Sequence, residues 1–89
     1  MLKPIHTKRF EKDIKKVQKQ NKDISKLKSV INNLTNETSL ESKYKNHKLK
    51  GNYIGRMECH IEPDWLLIYR IESPRIIFER TGSHSDLFK

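Results

Sequence analysis

The sequence has a single cysteine, no alanine and no long apolar run. Because Cys59 has no partner in the chain, an intramolecular disulfide is impossible, and a reducing, cytoplasmic setting is predicted. Residues 1–6 lack the apolar stretch of a signal peptide. Nowhere do about 18 apolar residues follow one another, as a membrane-spanning helix requires. A soluble protein without a membrane segment is predicted.

The length of the chain sets the scale of the fold. A chain of 89 residues has room for one domain and one modest core. Leu, Ile, Val and Phe account for 23 of the 89 residues, which exceeds the roughly 20% below which highly charged chains stay disordered. One folded domain over residues 1–89 is therefore predicted, without a large enclosed cofactor pocket.

Positive charge is concentrated in the first half of the chain. Residues 1–50 hold fourteen basic and five acidic side chains, whereas residues 51–89 hold five basic and six acidic ones. Such a field attracts polyanions, of which nucleic acid is the commonest. A lysine-rich soluble surface explains the same charge equally well, so composition alone leaves both interpretations open.

Two amphipathic helices are predicted in this basic half. Apolar residues recur at steps of three and four, the spacing that lines up one helical face, at Phe10, Ile14 and Val17 and then at Ile24, Leu27, Ile31 and Leu34. Thr7 and Asp23 are suitable N-caps. The short connection near residues 20–22 favours an antiparallel hairpin whose apolar side packs on a sheet.

Strands are predicted in the second half. Residues 53–62 alternate between apolar and polar side chains, which puts Glu58 and His60 on an accessible face. Pro63 must interrupt the ladder. A second strand is predicted over residues 65–71, and the continuous apolar run at residues 65–69 indicates that it is central in the sheet.

Further elements complete a sheet of about four strands. Ser73-Pro74 predicts a turn into a third antiparallel strand over residues 75–80, and residues 2–6 can add an edge strand. Residues 38–50 are predicted to form a loop. The predicted class is α+β, with two N-terminal helices packed on a twisted, mostly antiparallel sheet.

A set of side chains between residues 47 and 88 matches the needs of RNA cleavage without a metal. RNA carries its own nucleophile, so cleavage needs a base for the 2′-hydroxyl proton, an acid for the departing 5′-oxygen, and cations for the phosphorane. Histidine suits both proton roles and arginine suits the third. The candidate residues are His47, His60, Asp64, Trp65, Arg80, His84 and Phe88.

Each candidate also has a plainer interpretation. A lone strand histidine is more often a solvated surface residue, and His47 and His84 lie in a basic loop and a polar tail. Arg80 can form a surface ion pair worth roughly 0 to 1 kcal/mol. Trp65 begins the most apolar strand, so core packing competes with RNA contact, and Phe88 can either stack on a base or pack onto the sheet.

A zinc site is not expected. Cys59 and His60 are adjacent on a predicted strand and point to opposite faces, so they cannot converge on one ion. No CxxC or HxxxH spacing offers a substitute. No metal and no cofactor are therefore predicted.

Five segments of the chain resemble the YafQ branch of the RelE-like bacterial toxins. They are FEKDIKK at residues 10–16, KDISKL at 22–27, YKNHKLKG at 44–51, HIEPDWLLIY at 60–69 and FERTGSHSDLF at 78–88. The last two are the most specific. The chain departs from the family pattern mildly, with Lys48 where relatives often have Pro and Ser83 where Thr is common.

The resemblance implies a RelE-like toxin of a toxin–antitoxin pair, an endoribonuclease that cleaves mRNA in the ribosomal A site. It implies that the functional residues are the same seven, His47, His60, Asp64, Trp65, Arg80, His84 and Phe88. In the corresponding roles, His60 or Asp64 is the general base, His84 is the general acid and Arg80 clamps the phosphate. His47 holds the scissile phosphate or shares in proton transfer.

The resemblance also implies partners. Lysines of the first predicted helix would dock on ribosomal RNA, namely Lys12, Lys15, Lys16 and Lys19. A cognate antitoxin with an acidic segment would cover the basic surface or the cleft. Two alternatives stay open: a non-catalytic nucleic-acid-binding or operon-regulating module, and an RNase that needs no ribosome.

Overall fold

The computed structural model describes residues 1–88, apart from the side chain of Asn52, and Lys89, the last residue of the predicted domain, lies outside it. The elements in chain order are β1 (Lys3–His6), α1 (Lys8–Lys19), α2 (Ile24–Thr35), β2 (His47–Lys48), β3 (Met57–Glu62), β4 (Trp65–Glu72), β5 (Arg75–Gly82) and α3 (His84–Leu87). Single 3₁₀ turns at Ser42–Tyr44 and Gly51–Tyr53 lie on either side of β2. None of the helices in this described part is long and apolar enough to cross a membrane.

Both long helices begin at the predicted caps. The Thr7 side chain accepts a hydrogen bond from the backbone N–H of Phe10, and the Asp23 carboxylate accepts one from Ser25. Each cap satisfies an N–H group that the first helical turn leaves free. The apolar sides of α1 and α2 pack on one face of the sheet and form the main core with β3, β4 and β5, including Phe10, Val17, Leu27, Val30, Cys59, Trp65, Leu67, Tyr69 and Phe78.

The sheet has the strand order β1-β5-β4-β3-β2. β1 is parallel to β5, and the other neighbouring pairs are antiparallel. β4 lies at the centre, and its first five residues are buried, as its continuous apolar run predicts. The predicted α+β class is confirmed, and β2 brings the described strands to five where about four were predicted.

Sequence patterns misplaced the start of β3 and overlooked β2. The strand predicted from residue 53 begins at Met57, because Gly51 and Gly55 adopt positive φ angles of 69° and 87° that turn the chain. Tyr53, expected on the core face, packs instead beside Leu66 on the opposite face. The predicted loop over residues 38–50 contains β2, whose two residues are too few to show alternation.

The C-terminal segment is also more ordered than the sequence indicated. β5 continues to Gly82, two residues beyond the predicted end, and the tail forms the short helix α3. Ser83 caps α3 by accepting from the N–H of Asp86, and the Asp86 carboxylate accepts from the N–H of Ser83 in return. Leu87 then packs with Leu66 and Ile68, so α3 covers the face of the sheet opposite α1 and α2.

Candidate active site

Three histidine rings lie in a row on the α3 side of the sheet. They come from β2, β3 and α3, and thus from widely separated parts of the sequence. The ring centroids of His47 and His60 are 6.2 Å apart, and those of His60 and His84 are 5.8 Å apart. The histidine row therefore brings together the three rings that the sequence proposed as a set.

A buried carboxylate holds two of these rings. Glu58 is only 5% exposed, and its Oε1 lies 3.3 Å from Nε2 of His47 and 3.2 Å from Nε2 of His60. Strand register explains the arrangement, because His47 on β2 is directly opposite Glu58 on β3, and His60 follows two residues later on the same face. One carboxylate thus orients both rings.

His47 has a second partner at its other nitrogen. Its Nδ1 lies 2.6 Å from the backbone carbonyl of Lys45, which can only accept. Both ring nitrogens therefore face oxygen acceptors, one from Lys45 and one from Glu58. Nδ1 is therefore the nitrogen that donates to Lys45, and Nε2 lies within ion-pair distance of Glu58.

His84 is held by an exposed carboxylate instead. Asp64, in the turn between β3 and β4, accepts at Oδ1 from the backbone N–H of His84 at 2.9 Å and from ring Nδ1 at 2.6 Å. These two donors, the backbone N–H first, lower the pKa of Asp64. Because Nδ1 is occupied, Nε2 is the nitrogen of His84 that remains for chemistry.

An ion pair between helices fixes α3. Lys16 on α1 lies 2.8 Å from the carboxylate of Asp86. Lys16 first, and then the hydrogen bonds from Ser83, lower the pKa of Asp86 to about 2. Lys16, one of the four lysines expected to contact ribosomal RNA, therefore has an intramolecular partner, whereas Lys12, Lys15 and Lys19 are exposed on the same helix.

Phe88 lies at the end of the row. Its ring centroid is 6.4 Å from that of His84 and 5.4 Å from that of Tyr53, against which it packs edge to face. Tyr53 in turn donates its hydroxyl hydrogen bond to the carbonyl of Leu87, at 3.3 Å. Phe88 still keeps 41% of its surface exposed, so part of the ring is accessible to a ligand.

Arg80 is in line with the row but is engaged elsewhere. Glu58, Ile68 and Arg80 are paired across β3, β4 and β5. The guanidinium of Arg80, however, donates from Nε to Asp13 of α1 at 2.7 Å. The same carboxylate accepts a hydrogen bond from the backbone N–H of Thr81 at 3.1 Å. Thr81 lies on the part of β5 that has no pairing with β1. Asp13 thus anchors α1 to β5 and limits the freedom of Arg80.

Trp65 is placed differently from the other candidates. Its side chain is fully buried, and its ring N–H donates to the hydroxyl of Thr81 at 2.9 Å. The Lys22 ammonium lies 5.6 Å from the ring centroid. The assignment of Trp65 to RNA contact is therefore corrected, because no face of the ring is open to a base; it is a core residue beneath the site.

The fold and this row can be compared with known proteins. A family model described as the bacterial toxin of a type II toxin–antitoxin system, YafQ, matches residues 2–89.

The chain belongs to the YafQ family of bacterial toxins. The resemblance inferred from the sequence motifs is thereby confirmed.

Relatives in the YafQ family match over nearly the whole length. The mRNA interferase toxin YafQ of Escherichia coli K12 is 45% identical over 80 residues, 89% of this chain and 87% of the relative. A crystal structure of YafQ from Escherichia coli BL21(DE3) has a TM-score of 0.95 at 39% identity and covers all of both chains. An Escherichia coli DinJ–YafQ toxin–antitoxin complex has a TM-score of 0.91 at 39% identity, covering 99% and 98%.

Metal-bound forms occur among the solved YafQ-like structures. A metal-bound toxin from Helicobacter pylori is 42% identical, has a TM-score of 0.92 and covers 99% of this chain and 100% of its own. Within residues 1–88 of the present chain, no three His, Cys, Asp or Glu side chains are arranged as a metal site. Cys59 lies in the core, where burial raises the pKa of its thiol to about 12.

Asp13 is the residue of this YafQ-like site that sequence reasoning missed. A signal for it existed, since Asp13 occupies the apolar face of α1 together with Phe10 and Val17. A carboxylate in such a position needs a cationic or N–H partner. The sequence does not show which of the distant arginines supplies it, and the structure identifies Arg80.

Proposed function

We propose that this protein is the toxin of a toxin–antitoxin pair and cleaves mRNA on the ribosome by acid–base catalysis with attack of the RNA 2′-hydroxyl. The observation that carries the proposal is the histidine row, in which neighbouring rings lie 6.2 Å and 5.8 Å apart. Such a spacing can hold one phosphodiester between a proton acceptor and a proton donor. Membership of the YafQ family supports the same activity.

His60 is proposed as the base. With its Nε2–H donated to Glu58 at 3.2 Å, the lone pair of Nδ1 is the one that can take the 2′-hydroxyl proton. The 2′-oxygen then attacks phosphorus and the bond to the 5′-oxygen breaks. Asp64, the alternative base, is less suited because its lowered pKa makes it a weaker proton acceptor.

His84 is proposed as the acid, and Asp64 as the group that orients it. With Nδ1 bound to Asp64 at 2.6 Å, Nε2–H can donate its proton to the departing 5′-oxygen. The products are a 2′,3′-cyclic phosphate and a 5′-hydroxyl, and the two histidines have exchanged protonation states. This step needs no further reactant.

Two cations and one aromatic ring complete the proposal. His47, whose Nδ1 is held by the carbonyl of Lys45, supplies positive charge to the phosphorane in its protonated form. Arg80 supplies more through the part of its guanidinium that does not face Asp13. Phe88 offers its exposed ring to a splayed base, for roughly 1 to 3 kcal/mol.

Docking on the ribosome is proposed for the free lysines of α1. Lys12, Lys15 and Lys19 are exposed on α1, and their contacts with ribosomal RNA phosphates would weaken with salt. Reversing these three charges should weaken ribosome binding at low salt and leave the histidine row unchanged. A cytoplasmic site of action and a cognate antitoxin that neutralises the basic surface follow from the same proposal.

The test is to map the ends of an mRNA after incubation with the protein, with ribosomes present and absent. New ends that carry 2′,3′-cyclic phosphates, strongly increased by ribosomes, are expected. Protection of the RNA without new ends would instead identify a binding module, and equal cleavage of free RNA would identify a ribosome-independent nuclease.

A further inference from the structure

A pocket of about 580 Å³ opens beside the histidine row, within the range of roughly 300 to 1,000 Å³ that is usual for ligand sites. It lies along the outer edge of β3, where β2 pairs only with Met57 and Glu58 and leaves the end of the strand uncovered. Its lining includes Lys26, Lys43, Tyr44, Lys45, His60 and Pro63. His60 belongs to both, so the pocket borders the row.

The charge of the pocket is positive. Lys26 is neutralised by Glu62, at 2.9 Å. Lys43 and Lys45 have no ion-pair partner in the part of the chain that the structure describes, residues 1–88. Both lysines are exposed, and the Lys43 nitrogen lies 5.2 Å from the centroid of the half-buried Tyr44 ring.

One loop places both these lysines and His47. Lys45 closes the 3₁₀ turn Ser42–Tyr44 in a left-handed conformation, with φ of 48°. Its carbonyl then accepts from His47 at 2.6 Å. The loop that carries the two lysines is therefore bonded to one ring of the row.

We propose that this pocket binds the RNA nucleotide one step beyond the two that flank the cleaved bond. Lys43 and Lys45 contact its phosphate, and the base lies against the apolar wall that Tyr44 and Pro63 provide. Cations beside an aromatic wall are the combination that binds single-stranded nucleic acid with little regard to sequence. An acidic protein segment would pair with the lysines, but its acidic side chains would not pack on the apolar wall. The proposal rests on the proposed nuclease function.

The experiment compares two oligonucleotides that cannot be cut. A dinucleotide and a trinucleotide of 2′-O-methyladenosine lack the nucleophile, and their affinities are measured by NMR titration up to millimolar concentration. The pocket variant is Lys43→Gln/Lys45→Gln. The matched control is Lys3→Gln/Lys28→Gln, which removes the same charge from a depression that shares no lining residue with the pocket.

The third nucleotide should strengthen binding about tenfold in the wild type and the control. In the pocket variant this gain should fall to about twofold or less, with an unchanged amide spectrum showing that the fold is intact. The trinucleotide should also shift the amide signals of residues 43–45. Absence of the gain in the wild type, its persistence in the pocket variant, or absence of those shifts would overturn the proposal.

Cleavage of ribosome-bound mRNA is measured in parallel, so that the two proposals can fail separately. A length-dependent gain without cleavage would support the pocket and refute the nuclease. Cleavage without the length-dependent gain would support the nuclease and refute the pocket. If the pocket variant lost affinity for the cognate antitoxin while keeping the gain for the third nucleotide, the pocket would be a protein contact and the RNA proposal would be wrong.

Discussion

The histidine row has two halves that are held in different ways. The sheet half consists of His47, Glu58 and His60, and its carboxylate is 5% exposed. The tail half consists of Asp64, His84 and Phe88, and the side chain of Asp64 is 69% exposed. Strand pairing positions the first half, whereas a four-residue helix and a turn position the second.

The difference in exposure between the two carboxylates indicates which half of the row has a fixed geometry. A hydrogen-bonded charge that is removed from water is poorly screened, so Glu58 fixes its two rings strongly. The pair of Asp64 and His84 is screened by solvent and by salt. The sheet half therefore offers a fixed geometry to the substrate, and the tail half can adjust to it.

The largest effects are expected from the two proton-transfer rings themselves. His60→Gln and His84→Gln should each lower the rate of mRNA cleavage about 10²- to 10⁴-fold, the usual contribution of general acid–base catalysis. The wild-type rate should be bell-shaped in pH, because the base must be neutral and the acid protonated. Loss of the acidic limb in His60→Gln and of the alkaline limb in His84→Gln, measured on residual activity, would assign the roles; the opposite pattern would exchange them.

The next largest effect is expected from Asp13, whose carboxylate anchors α1 to Arg80. Arg80 lies in line with the sheet half of the row. Asp13→Ala leaves a mostly buried guanidinium without its partner, so the free energy of unfolding should fall by about 3 kcal/mol. Asp13→Asn, which keeps an acceptor for the N–H of Thr81 at 3.1 Å, should lose less. Urea denaturation of both variants measures the difference, and equal stability of Asp13→Ala and wild type would show that the anchor contributes nothing.

The two carboxylates should differ in a direct comparison. Glu58→Gln removes a charge that holds two rings, and cleavage should fall about 10- to 100-fold, as for a hydrogen bond to a charged group of roughly 1.5 to 3 kcal/mol. Asp64→Asn should cost only a few-fold, because exposed pairs contribute about 0 to 1 kcal/mol. Single-turnover rates on ribosome-bound mRNA provide the measurement. An equal or reversed ranking would refute the distinction between the two halves.

The smallest effect is expected on the stability of α3, in the tail half of the row, at acidic pH. The pKa of Asp86 is lowered from 3.8 to about 2 in the folded protein. Its contribution to stability is therefore complete above about pH 4 and is lost as the pH falls towards 2. Amide exchange of α3 should accelerate over that interval before that of β4 does. Asp86→Asn should already exchange faster at pH 5, and an unchanged rate would show that the pair of Lys16 and Asp86 does not hold the helix.

The sequence predicted most of the scaffold because its signals are long and local. α1 and α2 repeat the helical spacing over three turns, and each carries its own cap. The apolar run of β4 is likewise visible without any knowledge of its neighbours. β2 and α3 span two and four residues, too few for a period to appear, and both are formed by contacts with distant parts of the chain.

The candidate site was predictable as a set of residues but not as a network. Chemistry and family motifs singled out the histidines, and Glu58 was visible as a neighbour of His60. Its simultaneous contact with His47 depends on strand register, and the pairing of Asp64 with His84 depends on where α3 docks. For Trp65 the sequence left two interpretations open, core packing and RNA contact. The structure shows a fully buried core residue.

The brevity of β2 has a consequence for control of the protein. Only the pairings of His47 with Glu58 and of Lys48 with Met57 attach this strand to β3, and neither of its residues belongs to the core. A binding partner that displaced these two residues from β3 would remove the His47 ring from the row and leave the hydrophobic core intact.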